Sequence, residues 1–157
     1  MKYYVKQHIF TWGDRFSIYD EYGNECFYAQ GEVFSFGKKL HLLDLAGREL
    51  AFIYEKVFSW APRYFINRGG RDIAEVVKKF SFFQQDYVID GLGWSVSGDF
   101  FSREFEVYSG VNPIARVRRE WFTLGDAYSI DIDPYADEVT ALAVVLVIDA
   151  VFSDQRS

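Results

Sequence analysis

The 157 residues can bury a single core without covalent staples, and one cysteine, Cys26, excludes an intramolecular disulfide framework and any all-cysteine metal site. A formal charge of −6 gives a whole-molecule field that repels nucleic acid and anionic membranes, so no nucleic-acid partner is expected and any anion binding requires a local basic patch. Half the residues are hydrophobic and a fifth aromatic, with 16 Phe and 11 Tyr, a composition suited to pleated, half-buried surfaces; one β-rich domain over residues 1–157 is expected, in the cytoplasm by default.

The chain opens MKYYVKQHIF, where Lys6, Gln7 and His8 interrupt the apolar stretch that a secretion signal requires. A short phrase then recurs: FTWGDRFSI from Phe10, FSFGKKLHL from Phe34, FSWAPRYFI from Phe58 and FTLGDAYSI from Phe122, with looser copies at Phe80 and Phe101. In the four close copies apolar residues follow six and eight places after the Phe: Phe16 and Ile18, Leu40 and Leu42, Tyr64 and Ile66, Tyr128 and Ile130. Between phrases lie segments that begin with turn chemistry at Gly23, Gly47 and Gly70, with Asn112 and Pro113 serving a divergent fourth, VNPIARVRREWF. Gly91 and Gly93 read as a reversal before Trp94. Ile114, Arg116 and Arg118 alternate with Ala115 and Val117, the period of a strand.

Each unit therefore reads as strand, turn, strand, turn. About twelve sequential strands escape the hazard of open edges by closing into an antiparallel barrel. Twelve strands about 4.8 Å apart and tilted about 40° make a wall roughly 20–24 Å across, too wide for wall side chains to fill alone.

The last segment, DIDPYADEVTALAVVLVIDAVF, supplies the filling. Asp133 is placed to cap a helix, Pro134 suits its first position, and Asp137 and Glu138 complement its dipole, giving a hydrophobic C-terminal helix over about 134–152. Apolar on all sides, such a helix belongs inside protein. Its apolar stretch, roughly 21 Å long at about 1.5 Å per residue, falls short of a bilayer core of about 30 Å, so no transmembrane segment is expected. The β-branched Val144, Val145, Val147, Ile148 and Val151 leave a buried strand as the competing reading.

The FS and FT phrases, the stretches EVFSFGKKLHLLDLAGREL and GLGWSVSGDFFSREFEV, and the terminal ALAVVLVIDAV resemble the LURP-one-related family of the tubby C-terminal-like superfamily, which also includes phospholipid scramblases. The resemblance spans nearly the whole chain and implies a mainly β fold, a 12-stranded barrel wrapped around a C-terminal hydrophobic helix. Its functional implications are thinner. Tubby domains bind phosphoinositide headgroups through basic side chains on the barrel wall; scramblases are membrane-attached and associated with calcium and acylated cysteines. No cysteine cluster exists here, and no lipid-binding residue of tubby maps onto an individual position.

Lys78 and Lys79, with Arg116, Arg118 and Arg119 at corresponding places in a later unit, are the candidates for binding an anion or lipid headgroup; the alternative is that they decorate the solvent face of strands. Lys38 and Lys39 read as turn residues. The acids of DIDPYADE lack the glycine and distal glutamate of a calcium loop, and capping accounts for them. His8 and His41 lie 33 residues apart without zinc-like spacing, and Cys26 reads as a buried thiol with no activating neighbour. Asp149, inside the apolar segment, requires a partner such as an arginine or a backbone donor. No catalytic residue, metal site or cofactor is expected. The reading is a non-enzymatic binding or scaffold module whose partner is an anionic phospholipid or a protein. An intracellular carrier of a small apolar ligand in a partly filled barrel, and an enzyme whose site sequence separation conceals, are the alternatives.

Overall fold

The recurring phrase marks every second strand of a barrel. The computed structural model describes residues 1–6, 15–32, 37–58, 60, 63–80, 85–99, 104–120 and 127–154. Among them are β1 (Lys2–Lys6), β2 (Arg15–Asp20), β3 (Glu25–Gly31), β4 (Lys39–Asp44), β5 (Glu49–Glu55) and β6 (Arg63–Arg68). There follow β7 (Arg71–Phe80), β8 (Gln85–Asp90), β9 (Trp94–Asp99), β10 (Glu104–Ser109), β11 (Asn112–Glu120), β12 (Ala127–Ile132) and one helix, α1 (Glu138–Asp154). Every strand pairs antiparallel with its sequence neighbour, and β1 closes the ring by pairing with both β12 and β2.

The apolar pairs of the phrase point inward. Phe16 and Ile18 on β2, Leu40 and Leu42 on β4, Tyr64 and Ile66 on β6, and Tyr128 and Ile130 on β12 are all buried, as are Phe105 and Val107 of the looser copy on β10. The leading residues Phe10, Phe34, Phe101 and Phe122, and His8, lie outside the described residues. After the inward pair the register slips by a β-bulge in four of the hairpins, at Ile18/Tyr19, Leu42/Leu43, Ile66/Asn67 and Val107/Tyr108. A bulge strengthens local twist, and its repetition at one level of the wall bends the sheet toward closure.

Tight turns occupy one end of the barrel and longer connections the other. Gly23, Gly47 and Gly70 hold the positive φ expected of them, at 83°, 80° and 83°. The fourth turn differs from expectation: Gly110 and Val111 form it, while Asn112 and Pro113 already open β11. Lys39 likewise stands in a strand rather than a turn, opposite Tyr54 of β5.

Helix α1 fills the interior. Ala141 through Ile148 are at most 1% exposed, and the helix packs against β5 and β6 on one side and β11 and β12 on the other. Ala51 on β5 and Ala115 on β11, both buried, present small side chains where the wall approaches the helix. Leu142 and Leu146, fully buried, each contribute about 1.5–3 kcal/mol of burial free energy.

The helix begins four residues later than the sequence suggested. Asp133 caps a turn, accepting from the Tyr135 amide at 2.8 Å through its side chain and from the Ala136 amide at 3.0 Å through its carbonyl. Asp137 is the helix cap: its carboxylate accepts from the Thr140 amide at 2.9 Å and its carbonyl from the Ala141 amide at 3.0 Å. Two turn-forming aspartates four residues apart offer competing caps; the carbonyl of Asp133 closes a single turn and α1 then starts from Asp137.

Candidate functional site

Strand alternation divides the five candidate basic residues. On β11 Ala115 and Val117 are buried while Arg116 and Arg118 are exposed, so the two arginines share the outer face, about 6.6 Å apart along the strand. Arg119 follows Val117 in the inward alternation and stands opposite Tyr128 of β12, on the other face of the wall from Arg118. Lys78 and Lys79 stand opposite Tyr87 and Asp86 of β8; their side chains lie outside the described residues. Four strand spacings, roughly 19 Å along the wall at about 4.8 Å each, separate β7 from β11. The five are not one cluster, though all but Arg116, which stands at mid-strand, lie toward the end of the barrel that carries the longer connections.

A concavity of about 590 Å³ on the outer wall is lined by Ser97, Gly98, Glu104, Glu106, Arg116 and Arg118, with Phe105 and Val117 at its base. Gly98, in its lining, lets β9 lie close against β10. That residue stands opposite Phe105 with φ +141°, and an added Cβ would lie 2.5 Å from the Glu104 carbonyl oxygen and 2.6 Å from the Phe105 Cα. No other residue type fits there without moving the backbone of β10. A second concavity of about 350 Å³, lined by Pro113, Ile114, Arg116, Asp131 and Asp133 among others, lies on the other flank of Arg116.

The two arginines have different surroundings. Arg116 Nε donates to Glu106 Oε1, and the Tyr108 hydroxyl donates to Glu106 Oε2. These contacts hold the Glu106 carboxyl below its usual range, the Tyr108 hydroxyl first and Arg116 after it, against the opposing effect of burial. Arg116 is thereby fixed in place by an ionised partner. Arg118 adds its field to Glu106 from the exposed side. The concavity thus holds two acids and two arginines, with Arg118 at its outward side.

The remaining candidates fall elsewhere. His41 stacks on Phe52 at 4.8 Å, and Phe52, Tyr54 and Phe65 continue the stack across β5 and β6. The imidazole Nδ1 meets Glu49, and Nε2 lies 3.6 Å from Glu32. Among the described residues no group of three or more His, Cys, Asp or Glu side chains is arranged to hold a metal ion. Cys26 is half-buried rather than fully buried, and burial, seconded by the charge of Asp20, pushes its thiol up. Asp149 is buried, and the Tyr128 hydroxyl donates to it at 3.3 Å. No described helix is long and apolar enough to cross a membrane.

Sequence reasoning missed Arg68. Ten residues after the leading Phe, the first two phrases carry Asp20 and Asp44, whose carboxylates accept the amides of their own turns. The third carries Arg68, which reaches the start of α1 instead. The departure from the repeat was visible in the sequence; its target was not.

Comparison with known proteins agrees with this architecture. A family model described as LURP-one-related matches residues 1–149. The chain is 36% identical over 148 residues to the protein named "Uncharacterized protein YxjI" of Bacillus subtilis (strain 168), covering 94% of this chain and 91% of that one. The X-ray structure of a protein from Arabidopsis thaliana superposes with a TM-score of 0.68 at 22% identity, over 96% of this chain and 91% of that one, a likeness of fold. With its repeated hairpins, closed wall and buried helix, the chain belongs to the LURP-one-related family.

Proposed function

We propose that this domain is a non-enzymatic binding module that recognises an anionic headgroup, such as that of an acidic phospholipid, on its outer wall at the β9–β11 concavity. The observation that carries the reading is the filling of the barrel: α1 takes the axial space that a carrier would keep for its ligand, which leaves recognition to the outside. There Arg118 supplies the accessible charge. Arg116, braced by Glu106 and Tyr108, presents a fixed guanidinium edge beside it. Glu104 and Glu106 in the same concavity favour a headgroup that carries an amine or hydroxyls beside its phosphate, because those groups give the carboxylates donors to accept from.

Flotation with phosphatidylcholine vesicles, with and without phosphatidylserine, tests the reading. Binding is expected only with the acidic lipid and is expected to weaken as salt rises. Arg118→Ala is expected to weaken it about five-fold, the equivalent of about 1 kcal/mol per basic residue near an anionic surface. Equal binding to both vesicle types, or an unaffected Arg118→Ala protein, would refute it.

A further inference from the structure

Two large aromatic side chains are exposed on the connection between β5 and β6. Phe58 is 92% exposed and Trp60 fully exposed. Phe58 is the one described non-glycine residue with positive φ, at 63°, a conformation that L-residues with bulky side chains avoid.

The base beneath them is well tied. The Lys56 amide donates to the Arg63 carbonyl at 2.9 Å and the Glu55 amide to the Lys38 carbonyl at 2.9 Å. The Lys38 amide donates to Glu55 Oε2 at 3.2 Å. At Gly37 an added Cβ would lie 2.9 Å from Val57 Cγ2, so the connection before β4 packs closely on the one after β5. The aromatic pair is carried on a braced platform.

Charge differs between this platform and the tight-turn end of the barrel. The strand ends beside this platform, on β3 to β6, bring up Lys38, Lys39, Lys56 and Arg63, against Glu32 and Glu55. The tight-turn end carries Asp20, Glu21, Asp44, Asp90, Asp133 and Asp137, against Lys2, Arg48, Arg68 and Arg71. Exposed apolar residues occur at that end too, at Tyr22, Leu45, Val111 and Tyr135; Tyr22, Leu45 and Tyr135 share their turns with acids, and Val111 stands in a turn with no lysine. Among the described residues, fully exposed aromatics and lysines coincide at the platform. Tryptophan favours the headgroup level of a bilayer, its ring apolar and its N–H wet, and lysines beside it gain from an anionic surface.

We infer that Phe58 and Trp60 form a wedge that inserts into the interface of an anionic bilayer, with Lys56 and the neighbouring lysines meeting the lipid headgroups and the barrel standing end-on to the membrane. The inference rests on the reading above that an acidic lipid is the partner, and it adds the insertion site and the orientation. Arg118 lies toward the same end, on the far side of the ring from the β5–β6 connection.

The test uses the full chain with mixed phosphatidylcholine–phosphatidylserine vesicles, with and without brominated acyl chains. Tryptophan emission of the wild type is expected to shift to the blue and to be quenched by the brominated lipid; Trp60→Phe is expected to lose most of that response. A variant carrying Phe58→Ser and Trp60→Ser is expected to keep the wild-type circular dichroism spectrum and to bind these vesicles at least about ten-fold more weakly. Quenching unchanged in Trp60→Phe, undiminished binding by the double variant, or no binding of the wild type to the vesicles overturns the inference. Glycerophosphoserine titrated against the same proteins separates the two proposals. Headgroup binding that needs Arg118, without Trp60 quenching, leaves the concavity reading standing and removes the wedge. Quenching that survives Arg118→Ala, without headgroup binding, does the reverse.

Discussion

Arg68 Nη1 lies 2.6 Å from Asp137 Oδ1 and 3.1 Å from Thr140 Oγ1, joining the end of β6 to the first turn of α1 across a sequence separation of 69 residues to the aspartate. A second donor, Nε, points at the Leu50 carbonyl at 3.4 Å. The cap of the central helix is thus held from the barrel rim, and the position of the helix along the axis is set there.

This clamp titrates. Burial alone would raise the Asp137 carboxyl, but the Thr140 amide and the Arg68 guanidinium outweigh it and hold the group below its usual range. A depressed carboxyl contributes stability that is present above its unfolded value of about 3.9 and is lost as pH falls through the folded value. Asp137→Asn keeps a capping oxygen and removes the charge. Its melting temperature is expected to lie below that of the wild type near neutrality, and the gap is expected to close below about pH 4. Thermal melts across that range check it; a gap independent of pH would refute the clamp.

At the other end of α1 the Tyr128 hydroxyl faces Asp149 inside the barrel. Tyr128→Phe removes that donor from a buried acid and is expected to cost about 1–3 kcal/mol in urea unfolding. Tyr64 occupies the same place in the third phrase and is also buried, and it supplies the comparison: the cost of Tyr64→Phe measures a tyrosine hydroxyl lost at that place without removing the donor to Asp149.

Filling of the interior is tested by truncation. Leu142→Ala and Leu146→Ala empty space on the axis of a closed wall that has little freedom to collapse, and each is expected to cost about 2–5 kcal/mol. Values below about 1 kcal/mol would mean that α1 is not the core of the fold.

The outer-wall stack has an alkaline signature. Burial first, and then the hydrogen bond to Asp72 at 2.6 Å, push the Tyr54 phenol up to about 12. A phenol raised in the folded state contributes stability that is complete below its unfolded value of about 10 and fades as pH climbs from there through about 12. Ultraviolet titration is expected to show a late-ionising tyrosine that is absent in Tyr54→Phe, and Asp72→Asn is expected to bring its ionisation earlier.

Much of the architecture was legible because it repeats. Inward pairs such as Leu40 and Leu42 recur at fixed distance from a Phe, alternation of Arg116 and Arg118 with Ala115 and Val117 names a strand, and an all-apolar helix has nowhere stable to go except inside. These are local patterns, and local periodicity is what a sequence displays directly. The start of α1 was misjudged because Asp133 and Asp137 carry the same capping chemistry, and only the carbonyl partners distinguish a turn from a helix.

The candidate site depended on closure. Arg118 and Arg119 are adjacent in sequence yet fall on opposite faces of the wall, and Lys78 and Arg119 occupy matching places in their hairpins yet stand four strands apart. Composition, repeat and apolar length determined by themselves a barrel with a helix inside it. Which charges share a surface, that Arg68 reaches Asp137, and that Trp60 is left in solvent beside Lys56 were decided by the tertiary structure, because ring register and strand alternation set through-space distances that spacing along the chain does not encode.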